Sequence, residues 1–235
     1  MRVDRKDAKT LGRAEMIEDL IKYIPETLKH ESGSVFYSGR RAFNAPRSLY
    51  ILGLNPGGSP ELQANETVEW HTSKVLCEKP DEWSEYQDEQ WLGKPAGSHG
   101  LQPRVLHLLS ALNLNPCLVP SSNLIFLRSI KERDLDFERW ATECWPFHEQ
   151  VIRRLGVRTI LCFGKQAGNW VCQKMLANRF VDEFIEQNSR KWRNSVYENR
   201  DGVSVVIATH PSRVNWKNPA TDPAPLVRTL LNKML

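Results

Sequence analysis

The sequence has no long hydrophobic run and no hydrophobic segment close to its first residue. A membrane-spanning helix needs roughly 18 or more consecutive apolar residues, and no stretch of these 235 residues approaches that length. The first 13 residues, MRVDRKDAKTLGR, are mostly charged or polar and lack the apolar centre of a secretory signal. We therefore expect a cytoplasmic protein that has no membrane partner.

Cysteine is also scarce, and its positions match no metal site. The sequence contains no CxxC pair and no cysteine and histidine cluster at zinc or iron–sulfur spacing. We expect reduced, mostly buried thiols, and we expect neither a metal nor a cofactor. The five cysteines are Cys77, Cys117, Cys144, Cys162 and Cys172.

Positive charge is in slight excess. The chain has 32 Lys and Arg against 28 Asp and Glu, which gives a net charge of +4 and favours polyanions without requiring one. Basic residues also cluster at Arg40, Arg41 and Arg47, and again at 190–193 around Trp192. Such clusters indicate either a nucleic-acid surface or simply a solvated face.

Short apolar runs alternate with segments of helical periodicity. This alternation predicts an α/β fold in which helices cover both faces of a mostly parallel, four-stranded sheet, as a three-layer α/β/α sandwich. We expect one domain over residues 1–235 and a monomer. The predicted strands are 49–54, an apolar segment 117–127 that is interrupted at Pro120 to Asn123, 157–163 and 203–208. The predicted helices are 14–24, 105–112, a helix capped by Asp134 or Asp136 that runs to Leu155, 165–180 and 222–234, and residues 181–202 are expected to form a hairpin or a loop.

One long segment does not fit this alternation. Residues 61–100 carry Trp70, Trp83 and Trp91 among many charges, with weak periodicity. Forty residues are more than a compact domain usually spends on a connection. The segment is therefore an insertion of short helices or a functional lid.

Polar residues follow three of the predicted strands. Asn55 stands in LYILGLNPGGSP, Asn123 stands at the interruption of the second apolar segment, and His210 and Ser212 stand in THPSRVNW. Ligands of open α/β sheets bind outside the carboxyl ends of the strands. Side chains more than 150 residues apart in sequence are thus expected to meet in one pocket.

The order of these motifs resembles a known family. GLNPG followed much later by HPSRVNW is similar to the pair of motifs that define the uracil-DNA glycosylase superfamily, and Asn123 and ILCFG match its middle elements. The resemblance covers residues 48–235 as an order of elements. The Asn55 loop is most similar to the mismatch-specific and single-strand-selective branches, although Gly57 and Gly58 stand where the best-known branch has an aromatic residue.

The resemblance implies a DNA glycosylase that acts without metal. Cleavage of an N-glycosidic bond builds positive charge on the sugar and negative charge on the departing base. His210 would stabilise the O2 of a departing pyrimidine, and Asn55 would place the attacking water. No lysine stands at a motif position to form a Schiff base, so water is the expected nucleophile.

The resemblance also implies residues that bind the base and the DNA. Asn123 would hydrogen-bond to the Watson–Crick edge of the flipped base, and Trp70 would stack on it. The expected DNA contacts are Ser212 with a phosphate and Arg213 and Val214 as the wedge in the base stack. Close approach of the backbone to the extruded nucleotide is expected at Gly57 and Gly58.

Each of these residues also has a purely structural interpretation. Asn-Pro-Gly-Gly is a common turn, His210 could cap a helix or fill a core, and Asn123 could bond only to its own loop. The substrate is either uracil or a bulkier base such as a hypermodified cytosine of phage DNA, which would make the protein a defence enzyme. Two other functions stay open, namely a non-catalytic reader of modified bases and a metabolic α/β enzyme acting on free nucleotides.

Overall fold

A computed structural model of the chain describes residues 16–233, which form an α/β structure around a six-stranded mixed sheet. The strands are β1 (Leu49–Gly53), β2 (Ser121–Asn123), β3 (Thr159–Phe163), β4 (Arg179–Ile185), β5 (Arg193–Glu198) and β6 (Ser204–Ala208). The α-helices are α1 (Met16–Ile21), α2 (Arg40–Phe43), α3 (Val68–Cys77), α4 (Glu85–Asp88), α5 (Gln102–Ala111), α6 (Phe137–Leu155), α7 (Lys165–Met175) and α8 (Ala224–Asn232). The ends of the predicted first and last helices, at residues 14–15 and 234, lie outside the described residues.

The sheet has the order β2-β1-β3-β6-β5-β4, and its first four strands are parallel. β5 and β4 follow as an antiparallel hairpin. The α/β class is confirmed, but the prediction of four strands is wrong. The two additional strands, β4 and β5, lie in and just before the polar stretch 181–202, for which a hairpin was one of the two expectations. Their side chains are largely exposed or half-buried, so the sequence shows no apolar run there.

The buried strands pack in two hydrophobic clusters. Tyr50 and Leu52 of β1 lie in one cluster, together with side chains of α1, α6 and α7. Leu49 and Ile51 lie in the other, together with side chains of α5 and α8. Because alternate residues of a strand point to opposite faces, helices cover both faces of the sheet.

The second strand lies at the polar trio itself and not before it. Ser121, Ser122 and Asn123 pair with Ile51, Leu52 and Gly53 in parallel. Ser122 Oγ donates to the carbonyl of Val35 at 2.6 Å, and this bond lets a polar side chain be fully buried on the edge strand. The prediction that these three residues follow the second strand is therefore wrong, because they form that strand.

The predicted helix before Leu155 is confirmed as α6, and Asp136 caps it. Asp136 Oδ1 accepts from the N–H of Arg139 at 3.3 Å, and Gly156 ends the helix with a φ of 62°. His148 of this helix is a core residue whose Nδ1 lies 2.8 Å from Tyr50 Oη and whose Nε2 lies 3.1 Å from the carbonyl of Leu124.

Residues 61–100 contain short helices, α3 and α4, which was one of the two interpretations of this segment. The segment is fastened to the basic cluster near β1, since Arg40 pairs with Asp81 and Arg41 pairs with Glu82 at 3.1 Å. Arg47 donates to main-chain carbonyls. The three arginines of this basic cluster therefore connect segments of the fold, and each already has a carboxylate or carbonyl partner.

All five cysteines are free, and three of them are buried, which confirms the expectation of unlinked, mostly buried thiols. No helix among residues 16–233 is both long enough and apolar enough to cross a bilayer.

Candidate active site

The register of the sheet aligns the ends of the four parallel strands. Asn123 at the end of β2 is level with Gly53 of β1, and Phe163 of β3 is level with Ala208 of β6. Asn55 and His210 each follow two residues after these ends. Neighbouring strands are about 4.8 Å apart, and β3 alone separates β1 from β6. The chain therefore leaves β1 and β6 about 10 Å apart at the same edge, a separation that accommodates one nucleobase.

Asn55 is held in one orientation by the segment that follows β2. Its Nδ2 donates to Ser129 Oγ at 2.8 Å and to the carbonyls of Pro56 (2.9 Å) and Leu127 (3.3 Å). Carbonyl oxygens accept only, so the nitrogen must face them. The Oδ1 of Asn55 consequently points the other way, and it makes no hydrogen bond with a described residue. It is an acceptor in a fixed position.

The two glycines after Asn55 differ in what they require. Gly58 has a φ of 116°, and a Cβ there would lie 2.1 Å from Gln63 Oε1. Gly57 is exposed, and no atom lies within 4 Å of its ideal Cβ position. Arg128 fixes this loop because its Nη1 donates to the carbonyl of Gly57 at 2.7 Å. The loop thus needs a glycine at 58 for its shape and leaves open space at 57.

Asn123 carries a buried amide nitrogen that has no hydrogen-bond partner among the described residues. Its side chain lies against Gly53, where an added Cβ would be 2.0 Å from Asn123 Oδ1. Burial raises the pKa of the nearby Tyr37 to about 12. An unpaired buried amide costs roughly 1–3 kcal/mol. A ligand that supplies an acceptor would recover that free energy.

His210 is neutral, and its protonated nitrogen is determined by Ser212. The N–H of Ser212 donates to Nδ1 at 3.1 Å, and Ser212 Oγ lies 2.7 Å from the same atom. Since Nδ1 accepts, the single proton of the neutral ring is on Nε2. Burial, and then the positive charge of Arg213, lower the pKa of His210 to about 4. His210 therefore presents an N–H donor throughout the physiological pH range.

The loop that carries His210 is supported from two sides. Arg104 of α5 donates to the carbonyl of Pro211, and Arg190 donates to the carbonyl of Arg213 at 3.1 Å. The ring of His210 packs edge-on against Phe163, with centroids 6.1 Å apart. These contacts position the imidazole above the end of β3.

The two wedge residues have different environments. Val214 is only 7% exposed and belongs to the second hydrophobic cluster. A wedge must project from the surface, so the wedge prediction for Val214 does not fit this structure. Arg213 and Ser212 are exposed, and the wedge role of Arg213 stays a prediction.

Trp70 lies on α3 and is 43% exposed. Its ring is covered by the ammonium of Lys74 at 4.6 Å, and its backbone N–H is capped by Thr67. Neither contact involves the ends of β1, β2 or β6. The stacking role of Trp70 stays a prediction.

Sequence reasoning missed three residues that build this edge. Gly53 leaves room for the Asn123 amide. Ser129 and Arg128 fix the loop that carries Asn55. A glycine inside an apolar run is a signal of close approach, and it was present at Gly53. Ser129 and Arg128 carry no comparable signal because their contacts join segments more than 70 residues apart.

Within residues 16–233, no three His, Cys, Asp or Glu side chains are grouped closely enough to hold a metal ion. Comparison with known proteins adds no assignment to this geometry: no protein-family model matches the chain, and no curated protein matches its sequence.

Proposed function

We propose that this protein is a monofunctional DNA glycosylase of the uracil-DNA glycosylase type, with the three-layer sandwich of that superfamily. It flips a damaged or modified pyrimidine out of DNA and hydrolyses its N-glycosidic bond, leaving an abasic site. The observation that carries the proposal is the alignment of Asn123, Asn55 and His210 at one edge of the parallel strands. We infer a cytoplasmic monomer as the active form.

The reaction breaks the bond between C1′ of the sugar and N1 of the base. The electron pair of this bond leaves with the base, and its charge spreads onto O2. The Nε2–H of His210 donates to that oxygen, and a well-aimed donor of this kind lowers the barrier by roughly 3–4 kcal/mol. The neutral imidazole is suited to this role because it can donate from Nε2 while Ser212 occupies Nδ1.

Water completes the reaction. Its oxygen forms the new bond to C1′, and one of its protons leaves to solvent while the base anion takes up a proton after departure. The fixed Oδ1 of Asn55 accepts a hydrogen bond from this water and orients it towards the sugar. The three bonds of Asn55 Nδ2 keep that acceptor in place before the substrate arrives.

Asn123 binds the flipped base. Its unpartnered Nδ2 donates to a carbonyl of the pyrimidine, and its Oδ1 accepts from a ring or exocyclic N–H. An amide pairs with uracil in one orientation and with cytosine in the other. The substrate is accordingly uracil or a bulkier modified cytosine of phage DNA, and the second choice would make this a defence enzyme.

An abasic-site assay tests the proposal. The protein is incubated with single-stranded and duplex oligonucleotides that contain uracil, hydroxymethylcytosine or glucosylated hydroxymethylcytosine, and strand scission after alkali is measured. Scission with at least one of these substrates, and its loss in His210→Ala, supports the proposal.

Two other outcomes would replace it. Tight binding of modified DNA without scission would identify a reader of modified bases. Turnover of free nucleosides or nucleotides, with affinity insensitive to salt, would identify a metabolic enzyme, since DNA binding weakens steeply as the salt concentration rises.

A further inference from the structure

A cavity of about 610 Å³ lies beside the candidate active site. This volume falls within the roughly 300–1,000 Å³ typical of ligand sites. The cavity, called the basic cavity below, is lined by Lys131, Arg133, Leu135, Phe137, Gln166 and Arg213. The sequence analysis assigned none of these six residues to base binding. Arg213 alone among them belongs to a motif, THPSRVNW.

The described charged residues that line the basic cavity are all cationic. Three of its lining residues, Lys131, Arg133 and Arg213, are cationic, and none of the acidic side chains that the structure describes lines it. None of the three makes an ion pair with a described side chain, whereas Arg40, Arg41 and Arg193 elsewhere do. Cations that converge without partners favour an anionic ligand such as a phosphate.

The remaining lining residues suit a nucleobase. Phe137 is half-buried and supported edge-on by Trp170, with ring centroids 5.6 Å apart. Gln166 has a buried Oε1 with no hydrogen-bond partner among the described residues. An aromatic ring offers a stacking surface, and an unpaired amide oxygen accepts from a base N–H. A bare phosphate would use neither group.

Two contacts place the basic cavity next to His210. Arg213 is in the same tight turn, since its N–H donates to the carbonyl of His210 at 2.9 Å. Gln166 follows two residues after Gly164, whose ideal Cβ position is 3.8 Å from His210 Cβ. A ligand in the cavity is therefore adjacent to the point where the base would be released.

We infer that the basic cavity binds a second, unpaired nucleotide of the DNA strand, the neighbour of the one whose base is removed. Its phosphate lies against Arg133, Lys131 and Arg213, and its base stacks on Phe137 and donates to Gln166. This inference rests on the proposed function, because it requires DNA as the substrate. It adds that the enzyme acts on a locally single-stranded strand and senses the neighbouring nucleotide.

Equilibrium binding, measured by fluorescence anisotropy, tests the inference without requiring excision. The probe is a short single-stranded oligonucleotide with a central deoxyuridine, and a second set of probes has a tetrahydrofuran abasic spacer in place of either neighbour. The variants are Phe137→Leu, which keeps apolar volume, and Arg133→Ala at an exposed position. Arg200→Ala is the matched control, since it removes the same charge from the turn before β6 at the opposite edge of the sheet.

We expect Phe137→Leu to weaken binding of the intact probe about 5- to 100-fold. One of the two spacer probes should bind wild-type protein more weakly by a similar factor, and Phe137→Leu should no longer distinguish that spacer from the intact strand. Arg133→Ala should reduce the salt dependence of binding by about one phosphate contact, while Arg200→Ala should change neither quantity.

Wild-type binding by both cavity variants, in a protein that still produces abasic sites, overturns the inference and leaves the proposed function intact. Competition by free deoxycytidine monophosphate as strong as that by the oligonucleotide also overturns it, because the cavity would then serve a free nucleotide. Absence of both binding and scission with every DNA probe refutes the proposed function, and the inference with it.

Discussion

The parallel and antiparallel parts of the sheet bury their side chains to different extents. Every residue of β1, β3 and β6 is buried, whereas β4 has four exposed residues among seven and no buried one. The parallel strands end in polar groups at one edge. The hairpin instead pairs its charges internally, as Arg193 does with Glu183 at 2.7 Å.

This difference shows where the sheet can support chemistry. At the end of the parallel strands, Asn123 is buried, His210 is partly buried, and both lie on a rigid support, so a hydrogen bond from either to a ligand would be strong and directed. The charges of the hairpin are exposed to water, which weakens them to surface ion pairs. Changes at the parallel edge should therefore affect activity far more than changes in the hairpin.

The largest effect is expected from His210→Ala and Asn55→Ala. Each should reduce single-turnover excision by about 10²–10³-fold, because each removes an interaction that acts chiefly in the transition state. DNA affinity, measured by anisotropy, should stay close to that of the wild type. Wild-type excision in both variants would refute the assignment of this edge as the active site.

A smaller effect, on base binding, is expected from Gly53→Ala. Gly53 lies in β1 and has no side chain that could contact the base itself. The new Cβ would be 2.0 Å from Asn123 Oδ1 and would displace that amide. We expect base binding to fall about 10- to 100-fold, as in Asn123→Ala, because an amide–base pair is worth roughly 1–3 kcal/mol.

The double variant is the control for this prediction. Because both changes act on the same amide, Gly53→Ala with Asn123→Ala should be no worse than either single change. Additive losses would show that Gly53→Ala damages the strand itself, and thermal unfolding would then reveal a lower melting temperature.

A still smaller effect is expected from pH. Burial holds the pKa of His210 at about 4, so the ring stays neutral and excision should change less than about threefold on this account between pH 5.5 and 8. Excision should fall as the pH approaches 4, because a proton on Nδ1 breaks the hydrogen bond from the Ser212 N–H that orients the ring. A rate that drops by tenfold around pH 6.5 would show that His210 is solvated and titrates normally.

The same shift affects stability. The unfolded chain binds a proton at each histidine near its ordinary value of 6.5, whereas burial lowers the pKa of His71, His148 and His210 to about 4 in the folded protein. The unfolded chain therefore binds more protons than the folded protein between pH 6.5 and 4. The free energy of unfolding is highest above pH 6.5 and falls as the pH drops towards 4. Denaturant unfolding at pH 7 and pH 5 measures it.

The smallest effect is expected in the hairpin. Arg193→Ala and Glu183→Ala remove a largely exposed ion pair and should change the free energy of unfolding by less than about 1 kcal/mol. Excision should match that of the wild type. A loss of activity comparable to that of His210→Ala would break the distinction between the two parts of the sheet.

The elements predicted correctly from the sequence are those with a strong hydrophobic pattern. β1, β3 and β6 were predicted because buried parallel strands are uninterrupted apolar runs, and α6 was predicted because one face stays apolar over five turns. β4 and β5 were covered only by the expectation of a hairpin or a loop over residues 181–202, and β2 was misplaced. The polar residues of β2 are buried through contacts with a distant segment, such as Ser122 with Val35, which no local pattern shows. Those of the hairpin pair with each other at the surface, as Arg193 does with Glu183, so the hairpin contains no apolar run.

The sequence by itself determined the α/β class, the main parallel strands and the two polar positions that follow them, Asn55 and His210, while Asn123 proved to be the last residue of β2. The register of the strand ends, the fixed amide of Asn55, the unpartnered amide of Asn123 and the neutral ring of His210 were decided only by the tertiary structure. The physical reason is that orientation and desolvation depend on neighbours far away along the chain. Ser129 holds Asn55, Gly53 makes room for Asn123, and packing against Phe163 partly buries His210.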